Sequence, residues 1–132
     1  MRISAIKRIE QLKGKYNPNY NPKACQFFRG INERFHLDGR HAENVGEIHI
    51  KELGYFVDYY SPELNLVIEW NEKSHYNFDG NLKAREQQRQ KEITEHLKCT
   101  FININQSNFE QEKELILNKI QGIINGKSIL RH

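Results

Sequence analysis

Val67-Ile68-Glu69-Trp70 sets a carboxylate inside a run of large apolar and β-branched residues. Such a run reads as a buried strand, and an acid within it is costly unless something cationic meets it. The surrounding chain has strand periodicity as well. Ile48 and Ile50 alternate with Glu47, His49 and Lys51, Leu53-Gly54 breaks the run, and residues 55–60 are aromatic and β-branched. With Pro62-Glu63-Leu64-Asn65 as a turn, residues 46–71 are predicted to form a three-stranded antiparallel meander.

Helical periods flank this centre. Ile3, Ile6, Ile9 and Leu12 recur with Lys and Arg between them, which predicts an amphipathic helix over 3–13 ending at Gly14. Two of the three prolines lie in the connector that follows, residues 16–22. Asn21 as cap and Pro22 in the first turn open a second helix through Phe35, with Ala24, Phe27, Phe28, Ile31 and Phe35 as its apolar stripe. Residues 36–44 read as loop, 82–97 as helix, 100–104 as strand, and 109–125 as a closing helix ended near Gly126. The order α-α-β-β-β-α-β-α predicts an α/β chain with a mixed central sheet of about four strands flanked by helices. Residues 1–21 form a basic helix and linker, and residues 22–132 form one domain.

Register decides which side chains meet. A two-residue loop at Leu53-Gly54 puts Asp58 opposite His49, and a four-residue loop at 62–65 pairs Asp58 with Glu69. Glu47, His49, Asp58, Glu69 and Asn71 then share one face. Three carboxylates clustered in a sheet call for a cation, and oxygen donors suit Mg²⁺ or Mn²⁺. The alternative is a solvated acidic face. In the helix 82–97, Glu86 and Arg89 interrupt a stripe completed by Leu82, Ile93 and Leu97. They either face the acids of the sheet or pair with each other at i,i+3 spacing.

Charge is unevenly placed. The first 41 residues hold nine Lys/Arg against three acids (+6), and residues 42–132 hold 11 against 14 (−3). A basic lobe beside an acidic body suits a protein that grips a polyanion, with Lys7, Arg8, Lys13 and Lys15 as phosphate contacts. A solvated basic helix with no partner fits the same arithmetic, and its Ile stripe leaves a homodimer open. No run approaches the roughly 18 apolar residues of a membrane span, and no secretory stretch opens the chain. Two cysteines make no disulfide framework, so the expected location is intracellular. His36, His41, His49 and His75 match no compact zinc spacing.

The stretch from Gly54 to His75, followed by Glu86-x-x-Arg89, resembles the PD-(D/E)XK nuclease superfamily, in particular small endonucleases of the very-short-patch repair type. The likeness covers about residues 46–104. Asp58 matches the first acid, Glu69 the second, His75 the histidine, and Glu86 and Arg89 the helix pair, with Glu in place of Asp. Asn71 stands where the superfamily has Lys and this subgroup Asp, Glu72 replaces a Gly, and Lys73 follows with the strand parity of Asn71. The resemblance implies a restriction-endonuclease-like fold and metal-dependent hydrolysis of DNA phosphodiesters. Asp58 and Glu69 would hold Mg²⁺ or Mn²⁺, with Glu47 and Asn71 as further ligands. Lys73, His75 and Arg89 would complete the catalytic set, and Arg89 would also contact phosphate. A nucleic-acid-binding module without turnover, or an interaction domain whose acids face solvent, are the competing expectations.

Overall fold

The computed structural model describes residues 21–43 and 48–130. The basic helix expected over 3–13, with Lys7, Arg8, Lys13 and Lys15, lies outside the described residues, as does Glu47. The described chain runs α1 (Pro22–Phe35), β1 (Arg40–His41), β2 (Ile48–Ile50), β3 (Tyr55–Val57), β4 (Tyr59–Ser61), β5 (Leu66–Asn71), α2 (Ala84–Leu97), β6 (Thr100–Asn105) and α3 (Phe109–Leu130). Single 3-10 turns sit at Lys73–His75 and Gln106–Asn108. This is an α/β fold around a mixed four-stranded sheet, order β1-β4-β5-β6, antiparallel except for the β5–β6 pair.

β5 is buried along its whole length and sorts its side chains between two cores. Leu66, Ile68 and Trp70 join Phe27, Phe28 and Ile31 of α1 and Ile116, Leu117 and Ile120 of α3. Val67 points the other way, into a smaller cluster with Val57, Ile50 and Ile93 of α2. The parity that gives β5 two apolar faces therefore also aims Glu69 and Asn71 at the α2 side. Asn21 caps α1 as expected, its Oδ1 accepting from the N–H groups of Lys23 (2.9 Å) and Ala24 (3.3 Å).

Four expectations need correction. First, the loop predicted over 36–44 contains β1, because the Asn32 amide bonds both the N–H (3.1 Å) and C=O (2.9 Å) of Gly39 and guides the chain onto β4. A side chain at Gly39 would drive its Cβ to 2.0 Å from the buried Tyr59 ring, so only glycine fits this approach. Second, the first hairpin pairs Ile48 with Val57 and Ile50 with Tyr55, around a four-residue turn rather than two. The Ile50 carbonyl accepts from Leu53 N–H (3.1 Å) and Gly54 N–H (2.8 Å), with Gly54 at φ 75°. His49 consequently sits opposite Phe56 and stacks on its ring at 4.6 Å instead of facing Asp58. Third, the meander is not one sheet. The strand expected over 55–60 breaks at Asp58, and β2–β3 form a separate ribbon. Fourth, α3 runs through Gly126 to Leu130, since one glycine weakens a helix by only about 1 kcal/mol.

The turn at 62–65 pairs Ser61 with Leu66, as the loop length predicts. Residues 100–105 join the sheet parallel to β5 after the α2 crossover. No helix among the described residues is long and apolar enough to cross a membrane.

Candidate active site

Where β4 ends, β5 continues, and the backbone N–H groups on that side of β5 lose their strand partner. Asp58, at the break between β3 and β4, supplies one: its Oδ2 accepts from the Trp70 N–H at 2.7 Å. That bond holds the Asp58 carboxyl over β5 and beside Glu69, near enough to raise the pKa of the Glu69 carboxyl. The two acids thus meet at the edge of the break, as the register of the second hairpin predicts.

From the opposite side α2 brings a cation. Arg89 Nη2 donates to Glu69 Oε1 at 2.6 Å and to the Phe56 carbonyl. Its guanidinium lies 5.6 Å from the centre of the Tyr55 ring, and the Tyr55 hydroxyl donates to Glu92 one turn further along α2. Glu86, three residues before Arg89, does not pair with it. Its Oε2 stands 3.4 Å from His75 Nδ1, an ion-pair approach without a hydrogen bond. Glu86 and Arg89 therefore serve two different partners across the sheet, and the intrahelical pair is excluded.

These groups line a cavity of about 320 Å³ with Asn21, Ala24, Cys25 and Phe28 from the α1 side and Glu72 at its edge. Burial pushes the Glu69 carboxyl well above the ordinary glutamate range, and the neighbouring Asp58 adds to this while Arg89 opposes it. Glu69 is only 4% exposed, so one guanidinium does not offset both its desolvation and a second acid. Burial, with Glu43 adding to it, raises the Cys25 thiol above its usual range.

A hard divalent cation fits this donor set. Two adjacent carboxyls, one of them buried and under-compensated, are the ligands Mg²⁺ uses when it keeps most of its waters. Among the described residues no three His, Cys, Asp or Glu side chains converge to enclose an ion by themselves. A cation here would rest on Asp58 and Glu69, with water completing its shell.

The structure brings together Asp58, Glu69, His75 and Arg89 of the residues predicted from sequence, but not Lys73 or Asn71. Lys73 is exposed on the 3-10 turn and does not line the cavity. Asn71 is 2% exposed and shares the Glu69 face, yet its Nδ2 donates to Asn103 Oδ1 at 2.8 Å. Asn103 is locked in turn by reciprocal bonds with Gln90 of 2.6 and 2.8 Å. Sequence reasoning missed Asn21, whose Nδ2 reaches Glu72 (3.3 Å) and Gln106 (2.5 Å), the latter also accepting from Trp70 Nε1 at 2.7 Å. Only its capping signal was visible, and that says nothing of the cavity. No family model and no curated protein matches the chain.

Proposed function

We propose that this chain is a metal-dependent endonuclease that hydrolyses DNA phosphodiester bonds on a restriction-endonuclease-like fold. The observation that carries the reading is the Asp58–Glu69 carboxyl pair, set at a strand break in a cavity with one guanidinium and one imidazole. A bound Mg²⁺ or Mn²⁺ would supply an activated water and a positive charge at the scissile phosphate. Asp58 and Glu69 supply its oxygen ligands, and the Trp70 N–H keeps Asp58 oriented. Arg89, anchored on Glu69 and the Phe56 carbonyl, adds fixed positive charge where phosphate charge develops. His75, flanked at Nδ1 by Glu86, leaves Nε2 to orient water or give a proton to the leaving oxygen.

Supercoiled plasmid incubated with the full chain and Mg²⁺ or Mn²⁺ tests this. Wild type should nick it, EDTA should stop it, and Asp58→Asn should lower the rate by roughly 10²-fold or more. Normal cleavage by that variant would remove the carboxyl pair from the mechanism.

The positions of Lys73 and Asn71 favour a second reading, a nucleic-acid-binding module without turnover. Retained DNA binding with no cleavage in either metal by wild type would decide for it.

A further inference from the structure

After the 3-10 turn at Lys73–His75 the chain makes a small hairpin, residues 77–81, with Phe78 at its tip. Tyr76 and Leu82 bridge its base. Asn77 N–H donates to the Asn81 carbonyl (2.8 Å), Gly80 N–H to the Asn77 carbonyl (3.0 Å), and Asn81 N–H to Asp79 Oδ1 (3.0 Å). Gly80, at φ 85°, supplies the left-handed residue this turn requires. Lys83 N–H donates to the His75 carbonyl at 3.0 Å, which ties the hairpin to the cavity wall formed by His75 and Glu86.

On this hydrogen-bonded tip the Phe78 side chain stands fully in solvent, at 113% relative exposure. A single exposed apolar residue is ordinary on a protein surface. This one stands at the tip of the turn that links His75 to Glu86 of the cavity, and Lys73, Lys83 and Arg85 flank that turn along the chain. Lys73 and Arg85 are exposed and Lys83 is half-buried, and none of them forms an ion pair among the described residues.

We propose that the 77–81 hairpin is a base-stacking element: Phe78 takes the face of an unpaired nucleobase while Lys73, Lys83 and Arg85 hold the flanking phosphates. The inference rests on the nucleic-acid reading above and narrows its substrate to strands with an open base. In continuous duplex both faces of each base are covered by neighbours, so the ring has nothing to stack on. In a single strand the faces are open, and every base offers one. Pre-organisation on a tight turn lowers the entropy lost on contact. The role also accounts for Lys73 standing outside the cavity.

The test is binding, without metal, by the full-length chain. The probes are a single-stranded oligonucleotide carrying 2-aminopurine and the blunt duplex of the same sequence. Wild type should bind the single strand and quench the probe. Phe78→Ala should weaken that binding by roughly tenfold to a hundredfold and abolish the quench, with duplex affinity unchanged. Phe78→Trp should restore both, and the unfolding midpoint of Phe78→Ala should equal wild type. Equal single-strand affinity in Phe78→Ala, or equal losses on both probes, would overturn the proposal. So would a wild type that binds neither. Cleavage of the same single strand, of the duplex and of plasmid, with Mg²⁺ or Mn²⁺ added, separates the two readings. A stacking defect in a protein that never cleaves leaves this inference standing and sinks the nuclease, and the converse pattern does the reverse.

Discussion

Glu69 carries an unusual burden for one side chain: it is buried, set beside a second acid, and compensated by one arginine. Its folded pKa is raised, chiefly by burial and next by Asp58. Between its ordinary value and that raised value the folded chain holds a proton that the unfolded chain releases. The stabilisation is therefore full below the ordinary value and is lost as pH rises through the folded one. Thermal unfolding of metal-free protein should show stability falling with pH across this window, and Glu69→Gln should flatten the slope. An identical slope in the variant would assign the dependence to other groups. Asn71 gives a second residue-scale test. From the motif alone, Asn71→Asp restores the subgroup pattern and strengthens metal binding. In the structure the new carboxylate meets Asn103 Oδ1 in place of the donated N–H. The expected result is a metal-free protein destabilised by about 1–3 kcal/mol in urea unfolding. Unchanged stability would mean that the Asn103–Gln90 amides re-pair around it.

Among the elements, the junction of α2, β5 and β6 depends on the turn residue Asn65. It adopts φ 49°, its Oδ1 accepts from the Tyr60 hydroxyl at 2.8 Å, and its Nδ2 reaches the carbonyls of Leu97 (3.0 Å) and Lys98 (3.1 Å). Those carbonyls end α2 and have no partner within the helix. One asparagine thus closes the β4–β5 turn and caps the helix that carries Glu86 and Arg89. Asn65→Ala should cost about 2–3 kcal/mol, from lost hydrogen bonds and a strained left-handed alanine. Asn65→Gly should recover only the backbone share. Equal stability of the two variants in denaturant titrations would show that conformation contributes nothing at this position. At the same scale the break between β3 and β4 is what creates the site. A continuous strand would pair its own backbone with Trp70, and Asp58 would have no N–H to hold it over β5.

For the whole molecule, a cation on Asp58 and Glu69 would bind the folded state alone, because the two acids meet only there. Added Mg²⁺ should then raise stability by about 2.7 kcal/mol at a hundred times its dissociation constant, and Asp58→Asn should abolish the gain. A melting curve indifferent to Mg²⁺ would leave the carboxyl pair without a metal. The sequence by itself determined the helices α1 and α2, the strands β5 and β6, the second turn and its register. It also put Arg89 on the inner stripe of α2 but left open whether that side chain met the acids of the sheet or paired with Glu86, which the Glu69 contact decided. Those features are written in local periodicity, capping residues and loop length, which act within a few residues of chain. Tertiary structure alone decided that β1 forms, that the strand breaks at Asp58, that Lys73 remains outside, and that Asn71 turns to Asn103. Three of the four depend on a partner outside the local repeat, Asn32 for β1, Trp70 for Asp58 and Asn103 for Asn71. A side chain's parity puts it on a face, but its hydrogen-bond partner is set by whatever the fold packs against that face.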